Sequence, residues 1–254
     1  MSDPVLDHPL VSRRYFFPRP GGVPSPLLVD ADDARLACAF HPPLPGGLTV
    51  VHFHGNGEIA ADWADILPRR FARIGMGLLL AEYRGYGAST GEALLGKMLD
   101  DVGPVMRAAG APPSRIVVFG RSVGSIFALE AVARFPDVAA LVLESAIASP
   151  LERLLLRLDP REMGVTPEAF EAACEARLDH RRKIGAYRGP TLLMHCMEDS
   201  LVPAGDARRL ATWAGGHTTL RLFERGDHNS ILAENEEEYF QAIEILVGWG
   251  RRSP

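Results

Sequence analysis

The stretch Ile116-Val117-Val118-Phe119-Gly120-Arg121-Ser122-Val123-Gly124-Ser125 decides how this 254-residue chain folds. Four apolar residues with two valines read as a buried strand, and the helical spacing from Val123 to Arg134 reads as the helix that follows. Between them lies Gly-Arg-Ser-Val-Gly. A bare GxSxG pattern carries little by itself. Set between strand and helix, it matches a tight turn whose glycines let neighbouring backbone approach and leave the Ser122 hydroxyl exposed at the strand end.

Outward from this turn, short β-branched or Leu-rich runs alternate with longer stretches of helical period, the signature of a parallel sheet flanked by helices. Expected strands are Leu48 to His54, Gly77 to Tyr83, Arg115 to Gly120, Ala139 to Glu144, Thr191 to Cys196 and Thr219 to Glu224. Expected helices are Ile59 to Ile74, Ala93 to Ala109, Val123 to Arg134, Ala204 to Trp213 and Glu234 to Trp249. Upstream, Ser12 to Phe17 and Ala34 to His41 read as antiparallel strands between Pro/Gly-rich breaks. From about Ala146 to Tyr187 the alternation lapses, with helical patterns at Leu151 to Leu158 and Pro167 to Leu178. That segment reads as a small helical cap inserted in one domain spanning residues 1–254.

A serine hydroxyl is a weak nucleophile at neutral pH and needs a base, which in turn needs an orienting carboxylate. Of eight histidines, His228 follows the last expected strand and precedes the last helix, the loop position suited to the base. Asp199 follows the strand Thr191 to Cys196 and is the favoured acid. Glu198, Glu144 and Asp227 compete with it. Acyl transfer also requires N–H donors for the oxyanion. Val123 supplies one by position, and the loop His54-Gly55-Asn56-Gly57 offers the Asn56 N–H as the second. His52 and His54 share one strand face and raise a zinc hypothesis, but no further ligand follows at a suitable spacing. The expected site therefore contains no metal.

Serine turn, acid, histidine and HG loop, all in order, resemble the α/β-hydrolase superfamily from about Ser12 to Trp249. With Tyr83-Arg84-Gly85-Tyr86-Gly87, Ser89 and Gly91, the chain is similar to the small "α/β-hydrolase domain-containing" esterases and thioesterases, which include protein depalmitoylases. The resemblance implies an eight-stranded, mostly parallel α/β sheet and a cofactor-free acyl-enzyme mechanism on ester, thioester or amide substrates. Cys196 stands where the family carries glycine, and reads as a small buried residue. Arg84 and Arg121 read as loop braces rather than substrate ligands. No cysteine cluster for lipidation lies near the N-terminus, so a membrane-protein substrate is not expected.

Composition narrows the remaining classes. A net charge of -5 with dispersed arginines excludes a phosphate-tracking surface, so nucleic acid is not an expected partner. Three widely spaced cysteines suit neither a disulfide framework nor a CxxC site. No apolar run approaches the roughly 20 residues of a membrane span, and no signal peptide is evident. The expectation is a cytoplasmic serine hydrolase acting on a small-molecule acyl substrate, with Leu151, Leu154, Leu155 and Leu156 offering an apolar pocket wall; a homodimer is compatible with the sequence. A peptidase or amidase with the same triad, and a catalytically silent binding protein on this fold, are the competing readings.

Overall fold

Strands β3 (Thr49–Phe53), β4 (Gly77–Leu80), β5 (Ile116–Arg121), β6 (Ala140–Glu144) and β7 (Thr191–Cys196) are buried along their whole lengths in the computed structural model, which describes residues 3–250. Burial on both faces is what a parallel sheet covered by helices requires, and it explains why these runs are apolar without alternating. With β1 (Leu27–Ala31), β2 (Ala34–His41) and β8 (Thr218–Phe223), the sheet has eight strands in the order β1-β2-β4-β3-β5-β6-β7-β8. β1 pairs antiparallel with β2, and β2 with β4; the remaining pairs are parallel. The eight-stranded, mostly parallel α/β architecture is therefore as the sequence implies.

Helices cover both faces. Leu95–Ala108 (α4) and Gly124–Arg134 (α5) pack on one face, joined in one core by residues such as Val118 and Ile126. On the other, Leu67–Arg73 (α3) and Ile231–Gly250 (α10) bury Phe71, Phe240 and Ile243 against Val117 and Phe119. Full burial of such a side chain is worth roughly 1.5–3 kcal/mol, so the alternating sides of β5 tie both layers to the strand that carries Ser122. The expected helix Ile59 to Ile74 divides into Ala60–Trp63 (α2) and α3, whose second residue is Pro68. Helix α10 starts earlier than expected and breaks at Asn235, whose amide donates to the Arg225 and Ile231 carbonyls at 3.0 Å each.

The N-terminal segment departs furthest from the sequence reading. Ser12 to Phe17 is not a strand: Pro9–Tyr15 forms helix α1, with His8 Nδ1 accepting from the Leu10 N–H at 3.2 Å and Pro9 opening the first turn. A proline at the first helical position and a capping side chain outweigh the β-leaning Tyr-Phe-Phe pattern. The outer antiparallel partner of β2 is instead β1, which starts directly after the break around Pro18 to Pro26.

Between β6 and β7 lie Pro150–Leu155 (α6), Pro167–Leu178 (α7) and His180–Ala186 (α8). Ala204–Trp213 (α9) follows β7. Phe53, Gly120, Leu143, Leu193 and Leu220 fall in one register row across β3, β5, β6, β7 and β8. The loops leaving these five strands consequently open on the same edge of the sheet, where ligands of open α/β folds bind. The extreme ends of the expected single domain, residues 1–2 and 251–254, lie outside the described residues.

Candidate active site

Ser122 sits at the β5–α5 turn with φ of 52°. A non-glycine residue in this left-handed region is strained by about 1–3 kcal/mol and persists only where its surroundings fix it. Here the Ser122 N–H donates to the Glu144 carbonyl at 2.8 Å, and its own carbonyl accepts from Ser125 Oγ at 2.6 Å. The flanking glycines are required by contact. A Cβ on Gly124 would stand 2.1 Å from the Phe53 carbonyl oxygen, and one on Gly120 would stand 2.6 Å from the Ala128 Cβ.

The β8–α10 loop brings His228 to this turn, with Nε2 2.9 Å from Ser122 Oγ. Its Nδ1 lies 2.8 Å from Asp199 Oδ2, on the loop after β7. Serine, histidine and aspartate are all buried, although 106 and 29 residues separate the contacting pairs. Asp199 Oδ1 additionally accepts from the Leu201 and Val202 N–H groups at 2.9 and 2.8 Å. Burial by itself would raise this carboxyl. Hydrogen bonds from His195, His228 and the Val202 N–H outweigh it and hold Asp199 well below the usual carboxylate range.

None of the three competing carboxylates bonds the His228 ring, whose nitrogens face Asp199 and Ser122. Glu198 is exposed. Asp227 accepts from Ser200 N at 2.7 Å and Ser200 Oγ at 2.8 Å, which clamps the acid loop to the histidine loop. Glu144 is buried against Arg121 and accepts from the Tyr239 hydroxyl at 2.5 Å. Burial raises its carboxyl against the pull of Arg121 and Tyr239.

Asn56 and Val123 both line the cleft with Ser122. The Asn56 side chain is consumed by structure: Nδ2 donates to the Tyr15 carbonyl at 2.5 Å, and Oδ1 accepts from the Phe17 N–H at 3.0 Å and the Tyr86 hydroxyl at 2.9 Å. These bonds leave the backbone N–H as what Asn56 can offer a reacting group. No hydrogen bond engages that N–H, or that of Val123, among the described residues. His52 and His54 belong to the framework of the same loop. His52 packs edge-on against Trp63 and Phe119, while His54 bonds Glu82 and the Gly55 carbonyl at 2.8 Å each.

Arg121 braces the site. It pairs with Glu58 and, at 3.1 Å, with Glu144, and donates to the His228 carbonyl at 2.9 Å and Asn229 Oδ1 at 3.0 Å. Glu58 in turn accepts from the Gly55 N–H at 2.7 Å. One buried guanidinium thus joins the serine turn, the Asn56 loop and the histidine loop. Arg84 forms a two-bond pair with Asp101, at 2.7 and 2.6 Å, and does not line the cleft. Cys196 is buried, its thiol pushed up to about 11 by burial, as suits a packing residue rather than a nucleophile.

Residues 47–160 match the family model described as "Serine aminopeptidase, S33", a span holding Asn56, Ser122 and Val123 but ending before Asp199 and His228. The "Uncharacterized protein YfhR" of Escherichia coli K12 is 24% identical over 250 residues, covering 92% of this chain and 84% of that protein. Human "Alpha/beta hydrolase domain-containing protein 17B" is 24% identical over 173 residues, covering 66% and 56%. Among solved structures, Est1E from Butyrivibrio proteoclasticus superposes with a TM-score of 0.72 at 18% identity, covering 90% of this chain and 99% of that one. The esterase EaEST from Exiguobacterium antarcticum gives 0.67 at 17%, covering 88% and 99%. The chain has the α/β-hydrolase fold, and the family model and these relatives support a place in that superfamily.

Within this α/β-hydrolase, several residues near the site escape a reading by sequence. His195 directs Nε2 to the Val202 carbonyl at 2.8 Å and to Asp199 Oδ2 at 3.2 Å, so a second buried histidine steadies the acid loop. Its place four residues before Asp199, at the penultimate position of β7, is the signal that could have found it. Of the four leucines expected to form a pocket wall, Leu156 lines the cleft of about 570 Å³ beside Ser122, whereas Leu154 is buried in the core and Leu155 points to solvent. α6 contributes Arg153 to that cleft, and the turn after it Arg157. Among the described residues no helix is long and apolar enough to cross a membrane.

Proposed function

We propose that this α/β-hydrolase is a serine hydrolase that cleaves a carboxylic ester or thioester of a small molecule through an acyl-enzyme at Ser122. The observation that carries the reading is the unbroken buried series Asp199 Oδ2, His228 Nδ1, His228 Nε2, Ser122 Oγ, with links of 2.8 and 2.9 Å. In it, His228 Nε2 accepts the Ser122 proton as Oγ attacks the acyl carbon, and the negative charge on the former carbonyl oxygen is held by the Val123 and Asn56 N–H groups. The imidazolium then gives its proton to the leaving oxygen or sulfur, which departs and leaves the acyl group on Ser122. Water, deprotonated by His228, attacks this ester; collapse returns the proton to Ser122 and frees the carboxylic acid. Asp199 keeps Nδ1–H pointed at itself and stabilises the imidazolium. Every group in the sequence of steps belongs to the chain, so the proposal calls for no cofactor or metal. Helices α6 to α8 act as the cap in this reading, closing one side of the cleft through Arg153 and Leu156.

A second reading, an aminopeptidase, is favoured by the description of the matching family model. It is weakened by the cleft itself, whose described lining contains arginines and no carboxylate to receive a substrate ammonium. Initial rates on p-nitrophenyl butanoate, an S-butanoyl thioester and an aminoacyl p-nitroanilide rank the two. Turnover of the ester or thioester that disappears in Ser122→Ala is expected. Turnover of the anilide alone moves the assignment to a peptidase, and turnover surviving in Ser122→Ala removes Ser122 from the reaction.

A further inference from the structure

The cleft beside Ser122 carries positive charge that the acyl-transfer steps do not use. Three arginines line it. Arg121 is matched by Glu58 and Glu144. Arg153 and Arg157 are in no ion pair among the described residues, and no aspartate or glutamate lines the cleft with them. Glu152, next to Arg153 in the chain, is held instead by Arg209 through two bonds of 2.9 Å. Arg153 Nη2 is buried without a hydrogen-bond partner. The Arg157 guanidinium lies over the Phe17 ring, 5.2 Å from its centroid. A buried N–H donor without an acceptor is costly, and a guanidinium is a fork suited to two oxygens of one anion.

Tyr15 completes the cluster. Its phenol is buried at the cleft wall, and burial pushes its ionisation up against the pull of the same two arginines, so it stays a protonated donor. Tyr15, Arg153 and Arg157 line the same cleft as Ser122. A chain with a net charge of -5 has here concentrated unpaired positive charge around its candidate nucleophile. The selection would be local rather than a field of the whole surface.

We infer that the substrate carries an anionic group, a carboxylate or a phosphate monoester, that seats against Arg153, Arg157 and the Tyr15 hydroxyl while its acyl carbon lies at Ser122. The inference rests on the serine-hydrolase reading above. Two guanidiniums and a phenol can hold planar and tetrahedral oxyanions alike, carried on the acyl or on the leaving part.

Matched substrate pairs resolve each arm. On the acyl side, mono-p-nitrophenyl glutarate is compared with p-nitrophenyl pentanoate. On the leaving side, 3-butanoyloxybenzoate and 3-butanoyloxyphenyl phosphate are each compared with phenyl butanoate. For at least one pair, the wild-type ratio of kcat/KM, anionic over neutral, is expected to reach about tenfold or more at low ionic strength, and to shrink in high salt. The ratio should fall towards one in Arg153→Gln/Arg157→Gln and be partly kept in Arg153→Lys/Arg157→Lys, which preserves charge without the fork. If the double variants do not fold, the salt dependence of the wild-type ratio gives the same answer. Ratios near one for all pairs, or a high ratio that survives both salt and the glutamine variant, overturn the inference while neutral-ester turnover leaves the serine-hydrolase reading standing. Absence of turnover on every substrate, neutral ones included, sinks both.

Discussion

Asp199→Asn tests the role of the acid through a geometry that leaves the amide little choice. In the wild type, Oδ1 accepts from the Leu201 and Val202 N–H groups, at 2.9 and 2.8 Å, and Oδ2 faces His228 Nδ1 at 2.8 Å. An asparagine satisfies the two backbone donors only by placing its oxygen where Oδ1 stands. Its NH2 group then faces His228 Nδ1, which must become an acceptor, and the ring proton moves to Nε2. Nε2–H points at Ser122 Oγ and cannot take its proton. In serine proteases this reversed tautomer costs on the order of 10⁴ in kcat, about 5 kcal/mol of transition-state stabilisation. Steady-state kinetics on p-nitrophenyl butanoate should show that loss in kcat with KM little moved. The thermal midpoint should fall by no more than several degrees, because the Leu201 and Val202 bonds are kept and only the contacts of Oδ2 with His228 and His195 change character. A kcat within tenfold of wild type in folded protein would refute the reasoning and move the acid role to one of the competing carboxylates, Glu198, Glu144 or Asp227.

Arg121→Met should leave Glu144 and Glu58 without their buried cation, so urea unfolding is expected to show a loss of about 3–5 kcal/mol, with activity falling as the histidine loop loosens; a change under 1 kcal/mol contradicts the bracing role. Gly124→Ala places a Cβ 2.1 Å from the Phe53 carbonyl oxygen, a backbone contact that cannot swing away, and should cost about 2 kcal/mol or more in the same assay. His180 is buried with Nδ1 2.8 Å from the Ile147 carbonyl, and burial pulls it down to about 3. The unfolded chain takes up a proton near pH 6.5 that the folded chain refuses, so stability is full above that pH and declines by about 1.4 kcal/mol per unit as pH falls from 6.5 towards 3. His180→Leu should flatten the part of this slope between pH 6 and 4, read from urea midpoints; an unchanged slope removes His180 from the acid limb.

The sheet and the line of the site could be read from the chain because its signals are local. Apolar runs such as Ile116 to Phe119 fix strands that are buried on both faces, and the loops after them are where parallel topology must put Ser122, Asp199 and His228. Choosing Asp199 over Glu198 or Glu144 needed the direction of each side chain, which spacing alone does not carry. Arg153, Arg157 and Tyr15 meet only because the cap and α1 fold over the same edge, and neither contact has a periodic signature. Helix α1 was misread for a related reason: its Tyr-Phe-Phe pattern favours a strand, while Pro9 and the His8 cap decide the helix. His195 lay hidden within a strand reading as core, its partner Asp199 only four residues away.

The central claim is that Ser122 is the nucleophile, activated by His228. Treatment of the folded protein with a fluorophosphonate, followed by peptide mass spectrometry, tests it directly. Modification of one residue, Ser122, is expected, abolished in Ser122→Ala and strongly slowed in His228→Ala. Folded wild-type protein that stays unlabelled, or a label found on another residue, would contradict it.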